Sequence, residues 1–273
     1  MNTHEHMHHN IHVEHLMGVA PQLILTIPFL VALIIYIMAV LVSNQKYKQW
    51  PLYRTLLWVI GIVCAVMAVA GPLAKQAHVD FTIHMIGHLL LGMIAPLLMA
   101  LAAPMTLILR TLHVTSARKL TTLLKTRPVR TITDPIVASL LNIGGLWILY
   151  TTNLYHAMHE QMVLHILIHA HVFLAGYVFT ISMIYIDPTP HRTSYVYRSI
   201  VLIIALAGHG ILSKYIYANP PDGVVASQAE TGGMIMYYGG DVVDIIIIFI
   251  LCLQWYRSTR PRTIHQSGYS IEN

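Results

Sequence analysis

Apolar residues run along this chain in long blocks. They do not alternate as in a half-buried strand, nor form the single stripe of a soluble helix. Seven blocks, at about residues 23–42, 56–73, 83–109, 136–155, 163–186, 199–217 and 234–255, are long and apolar enough to cross hydrocarbon, which takes about 20 residues of helix. The third is the longest and holds Pro96 and Pro104, so it should be kinked. No internal repeat is apparent and no Gly/Ser linker divides the chain. The pattern predicts an all-α polytopic membrane protein with seven transmembrane helices. A His-rich extracytoplasmic leader (1–20), a transmembrane domain (21–257) and a cytoplasmic tail (258–273) follow from it.

Composition sharpens this reading. Hydrophobic residues make up 56% and charged residues 10%, against about 25% charged in soluble domains. The mean hydropathy is +0.64. These values exclude an ordinary soluble globule and a disordered chain. A net charge of +5 raises nucleic acid as a partner, but the distribution of charge excludes it. Fourteen of the 16 basic residues fall in alternate connections: Lys46, Lys48 and Arg54; Arg110, Arg118, Lys119, Lys125, Arg127 and Arg130; Arg192 and Arg198; Arg257, Arg260 and Arg262. The other side holds only Lys75 and Lys214. By the positive-inside rule the N-terminus is outside and the C-terminus cytoplasmic. Residues 1–22 lack Lys and Arg and no small-residue cleavage site follows the first span, so that span is expected to be retained. The two cysteines, Cys64 and Cys252, lie in separate apolar blocks. There is no thioredoxin motif, zinc knuckle or c-type haem attachment site.

Histidine is the anomaly: 18 residues, more than Lys and Arg together. With the topology above, all but His113, His191 and His265 lie outside or in the outer half of a span. His84 and His88 share a helix face at i,i+4, as do His165 and His169. His209 and Asp241 are expected at a similar depth in two further helices, at 1.5 Å rise per residue. A lone intramembrane histidine is often a hydrogen-bonded packing residue. As a set, ionisable groups in spans are costly and mark function. The candidate metal ligands are therefore His84, His88, His165, His169, His209 and Asp241. His171, Asp244 and Met85 are candidates to support them.

Imidazole suits Cu, Zn, Fe and Ni alike, so the pattern does not choose a metal. The i,i+4 pairs do not stack two haems across a bilayer, which needs roughly 13 residues between ligands at helical rise. The leader places His4, His6, His8, His9, His12 and His15 within twelve residues. That composition is expected of a metal collector, here for Cu(II) or Zn(II).

Several short motifs then resemble a known family. They are His84-Met85-x-x-His88 with Ala95-Pro96-Leu97-Leu98 and Ala103-Pro104; His165-x-x-x-His169-x-His171; Asp187-Pro188 with Arg198; Gly208-His209; and Gly232-Gly233-Met234 with Tyr237-Tyr238-Gly239-Gly240-Asp241. In order and spacing they resemble the CtaG-type cytochrome c oxidase assembly factors, from about the second span to the end of the seventh. The leader is not part of that pattern. The resemblance implies a non-enzymatic factor of the bacterial plasma membrane, needed to form active cytochrome c oxidase. It implies copper as the metal and an oxidase subunit as the partner that receives it. The alternative from a different class is an intramembrane zinc-dependent lipid hydrolase, with three histidines on Zn²⁺ and an aspartate as general base. A third is a haem or quinone electron-transfer protein, which an absorption spectrum distinguishes.

The orientation is directly testable. Single cysteines introduced at Thr122 and Asn153 are expected to differ toward an impermeant thiol reagent on intact cells. Position 153 should label and position 122 should not, and the reverse pattern would overturn the assignment.

Overall fold

Two prolines and a handful of small residues decide how the apolar blocks are cut into helices. In a computed structural model, which describes the backbone of residues 3–260 and side chains of residues 20–260, the chain is all-helical. Helix α1 runs Thr3–Lys46, α2 Leu52–Val69 and the short α3 Gly71–Ala77. Helix α4 (Phe81–Leu89) passes through a π-helical turn, Leu90–Ile94, into α5 (Ala95–Leu101). Then come α6 (Pro104–Thr111), α7 (Val114–Leu124) and α8 (Arg127–Ile132). Helix α9 (Pro135–Ser139) continues through a second π turn, Leu140–Gly144, into α10 (Gly145–Thr151). The chain ends with α11 (Leu154–Glu160), α12 (Met162–Met183), α13 (Tyr195–Ala218) and α14 (Ala226–Thr259).

Six helical stretches are long and apolar enough to cross a membrane: 20–46, 52–69, 81–101, 162–183, 195–218 and 226–259. The expected fourth block is a pair, Pro135–Thr151 and Leu154–Glu160, bent by 79°. The bend follows from Thr152, which leaves the helix in an extended conformation. Its Oγ1 then accepts the Leu154 N–H that starts α11. The expected third block, 83–109, is shorter in the structure and ends at Leu101. A proline disfavours the α conformation in the residue before it. Ala103 leaves the helix in the left-handed region at φ 53°, the one positive-φ residue other than glycine among those described, and Pro104 starts a new helix.

Pro96 has a different consequence. It has no N–H to donate to the Gly92 carbonyl, and its ring would crowd that oxygen in a regular helix. The preceding π turn absorbs the conflict, with the Ala95 N–H bonding Leu90 O five residues back. The Gly92 carbonyl then faces α12 at Gly176, where a Cβ would collide with the oxygen. Small residues admit close backbone approach in membrane bundles, and here one is obligatory.

The bundle has two chemically distinct ends. At the basic end, Asp187 accepts the Met105 N–H at 3.0 Å and the Thr106 N–H at 2.7 Å, capping α6. Gln254 exchanges two hydrogen bonds with the backbone of Tyr185, and Arg110 donates to the Lys48 carbonyl. Arg198 is buried; it donates to the Met183 carbonyl at 2.7 Å and lies 4.0 Å from the Tyr185 ring centroid. At the histidine end, Asp80 caps α4 and Gln228 of α14 accepts the Phe81 N–H at 3.1 Å. The outer faces of α1 and α14 expose Ile27, Ile34, Met38, Val242, Ile245 and Phe249, as a surface in hydrocarbon should.

The Gly176 contact sets a clear expectation. Gly176→Ala should destabilise the detergent-solubilised protein by about 1–3 kcal/mol, the usual cost of overpacking, seen as a lower thermal midpoint. Gly144→Ala is the control, because nothing lies within 4 Å of a Cβ there. Equal midpoints for the two variants would remove the close-approach argument.

Candidate functional site

The Asp80 cap fixes the first turn of α4, and the i,i+4 spacing then stacks His84 and His88 on one buried face. From His84 the site extends toward the histidine end. His78, His84, His159, His165 and His169 line one small cavity of about 20 Å³, with Met158 among its walls. Ring centroids lie 4.1 Å apart for His165 and His169, 5.1 Å for His78 and His165, and 5.7 Å for His78 and His159. His84 lies 6.3 Å from His159 and 6.5 Å from His169.

Hydrogen bonds preset several of these rings. His169 Nδ1 lies 2.9 Å from the His165 carbonyl, and His159 Nδ1 lies 2.9 Å from the Tyr155 carbonyl. A carbonyl only accepts, so Nδ1 carries the proton in both rings. In the neutral tautomer that these contacts favour, Nε2 is the nitrogen left with a free lone pair. His84 Nε2 meets the Tyr150 hydroxyl at 3.1 Å. His165 Nδ1 is buried with no hydrogen-bond partner. His78, in the connection between α3 and α4, has its pKa held below the ordinary 6.5 by burial and by the charge of His159.

One helical turn deeper, a second cavity of about 20 Å³ is lined by His88, His209, Asp244, Met93 and Asn142 among others. His88 Nε2 and His209 Nε2 are both buried without partners. Gly240 makes room for His209: a Cβ there would stand 2.7 Å from the ring's Cε1. A third void of about 30 Å³, bordered by His84, His88 and His169, shares residues with both.

The sequence-predicted residues therefore divide. His84, His165 and His169 join the outer cluster, and His88 and His209 the inner cavity. Asp241 does not face either one: it is exposed on α14. Asp244, at i+4 from Gly240, shares its face and lines the inner cavity, while Asp241 is turned about 100° away. His171 points from the opposite side of α12 and meets the Leu141 carbonyl at 3.0 Å, against the second π turn. Met85 is buried against Phe81 and Gly232 in the core and lines neither cavity. The side chains of His4, His6, His8, His9, His12 and His15 lie outside the described residues. Sequence reasoning missed His78 and His159, which are not among its candidate ligands. The signal for His159 was Tyr155, Met158 and His159 at i, i+3 and i+4, one face of a short helix.

Among the described residues, no three His, Cys, Asp or Glu side chains are already converged as a ligand group. The donor types around the outer void are five imidazoles and a thioether, and one of those nitrogens, His165 Nδ1, is buried without a partner.

The profile of the cytochrome c oxidase caa3 assembly factor (Caa3_CtaG) family matches residues 34–258. The chain belongs to this family. As a Caa3_CtaG member it is a multi-pass membrane protein of bacterial type, in a family of oxidase assembly factors. Uncharacterized proteins of Mycobacterium bovis and Mycobacterium tuberculosis are each 29% identical to it over 80% of this chain. One of Mycobacterium leprae is 27% identical over 82%. The chain spans little more than a third of the length of these relatives, 36–37%. No solved structure matches it.

The contact between His84 and Tyr150 gives a test of the site's architecture. Tyr150→Phe should leave a buried imidazole nitrogen unsatisfied and cost about 1–3 kcal/mol, read from denaturant or thermal unfolding in detergent. An unchanged stability would mean that the hydroxyl does not hold the ring.

Proposed function

We propose that this Caa3_CtaG protein takes up copper at its histidine end and passes it to a cytochrome c oxidase subunit. The observation that carries the reading is the outer cluster, where His78, His84, His159, His165 and His169 surround one void beside Met158. Imidazole and thioether are the ligand types that suit copper, thioether favouring Cu(I). The rings of His159 and His169 present Nε2 because Nδ1 is spent on a backbone carbonyl. His88, His209 and Met93 repeat the same ligand types one turn deeper. Copper is cargo in this reading, so a site with exchangeable ligands suits it better than a closed, saturated cage. The intervening void bordered by His84, His88 and His169 gives the ion a path between the two groups.

The membrane arrangement belongs to the same proposal. The bent pair α9–α10 and α11 counts as one span, which makes seven. The positive-inside rule then turns the histidine end outward and the basic end to the cytoplasm. The His-rich leader sits on the outward side and serves as a collector that feeds the cluster. Zinc hydrolysis draws no support from the family and is not carried further.

His165→Ala and His169→Ala should each leave a folded, membrane-inserted protein whose copper affinity falls by more than the 10–100-fold typical of losing a supporting contact. In a host that depends on this factor, oxidase activity should drop while oxidase polypeptide and haem stay near normal. His113→Ala, exposed at the basic end, is the control. Normal copper content and oxidase activity in both cluster variants would make the histidines structural and end the copper reading.

A further inference from the structure

A further cavity lies at the end away from the histidine cluster, and the copper reading makes no use of it. It measures about 110 Å³ and its walls include Met105 of α6, Tyr177 and Ile181 of α12, Leu124 and Val129 from the α7–α8 segment, and Pro190. The segment that covers it is amphipathic. Ala117, Leu120, Thr121 and Leu124 of α7 are half-buried at i, i+3, i+4 and i+7, and no residue of α7 or α8 is fully buried. Arg118, Lys119, Lys125, Arg127 and Arg130 are exposed along the same segment. His191 Nε2 lies 3.4 Å from the Lys125 carbonyl, which brings the neighbouring, exposed Arg192 to the same rim.

Among the described residues these cations have no carboxylate partner. Residues 104–133 contain no Asp or Glu, and the one ion pair among the described residues, His156–Glu160, is at the other end. The nearby carboxylates are already engaged. Asp187 accepts from Met105 N, Thr106 N and Thr106 Oγ1, and Asp134 accepts from Ile136 N and the Tyr197 hydroxyl. The hollow is mainly apolar, with Asp187 on its wall already bonded to Met105 and Thr106; with cations on its rim that lack a carboxylate partner among the described residues, it matches an amphiphile with an anionic head.

We propose that this end of the bundle binds an anionic phospholipid. One acyl chain occupies the cavity under α7 and α8, and the phosphate sits among Lys125, Arg127 and Arg192. The lipid would anchor the α7–α8 segment on the membrane surface and keep the apolar hollow from water. Juxtamembrane basic residues each gain about fivefold in affinity for an anionic surface, from about 1 kcal/mol per residue.

The test titrates detergent-solubilised full-length protein with short-chain phosphatidylglycerol, short-chain phosphatidylcholine and inorganic phosphate, reading binding by native mass spectrometry and calorimetry. Phosphatidylglycerol should bind at least tenfold more tightly than phosphatidylcholine, and phosphate alone should not bind. The triple variant Lys125→Gln, Arg127→Gln, Arg192→Gln should lose about 100-fold in phosphatidylglycerol affinity. Val129→Phe, which fills the cavity, should lose about tenfold with the charges intact. Circular dichroism checks that each variant is helical. A salt arm on the unaltered protein needs no variant, since about 0.5 M salt should weaken binding by screening. Equal affinity for the two lipids, or binding of phosphate as tight as that of the lipid, overturns the proposal. So does a Val129→Phe protein that binds normally. None of these outcomes bears on copper binding, which is measured at the other end.

Discussion

The arrangement of this bundle depends on one backbone contact, between the Gly92 carbonyl and Gly176. Pro96 leaves that carbonyl without its helical donor, and the π turn at Leu90–Ile94 lets it swing aside. Only a residue without a side chain can stand against it. The contact brings α12 and the third span closer than ordinary side chains allow. His169 lies two turns from Gly176 along α12, and His88 lies one turn from Gly92. The distance between the two histidine-bearing helices is thus set just below the site. A wider spacing would take His165 and His169 away from His84 and leave each ring facing lipid.

Burying this many imidazoles at the head of a membrane bundle is costly, because a polar group without a partner in such surroundings costs several kcal/mol. The protein reduces that cost unevenly. His159 and His169 spend one nitrogen on a carbonyl four residues back, which their own helices provide. His84 uses Tyr150. His88, His165 and His209 each keep one buried nitrogen unpaired. These three unpaired nitrogens border the two histidine-lined cavities, His165 at the outer one and His88 and His209 at the inner. A ligand that accepts nitrogen lone pairs removes that cost, and this asymmetry supports the copper reading.

Much of the fold was legible because hydrophobic blocks of spanning length leave few alternatives in a bilayer. The breaks were less so. Pro96 and Pro104 both promised kinks, yet one is absorbed by a π turn and the other ends the helix through a left-handed Ala103. Which occurs depends on the neighbour: Gly176 offers the freed carbonyl a place, and Asp187 caps the new helix at Met105 and Thr106. Both partners are distant in sequence. The same limit governs the site. Spacing within one helix put His84 and His88 on one face and His165 and His169 on another, and the structure then divides the first pair between two cavities. Spacing could not order Asp241 against Asp244, since that depends on which face of α14 meets α13, nor foresee that α11 folds back to bring His159 over the cluster.

The two ends of the molecule solve opposite electrostatic problems. At the histidine end, imidazole rings are crowded together, Asp80 is engaged as a helix cap, and Asp244 borders only the inner cavity. At the basic end, cations are spread over an exposed helical segment and the carboxylates are tied up in capping and hydroxyl bonds. The buried Arg198 is there held by a carbonyl and two tyrosine rings instead of an acid. This separation has a physical reason. A basic side chain near the imidazole cluster would oppose entry of a cation, and a loose carboxylate at the basic end would weaken its hold on an anionic surface. The sequence keeps Lys and Arg nearly absent from one end and Asp and Glu occupied at the other. On the copper and lipid proposals, attraction for metal and attraction for the membrane surface would then operate on one small bundle without competing.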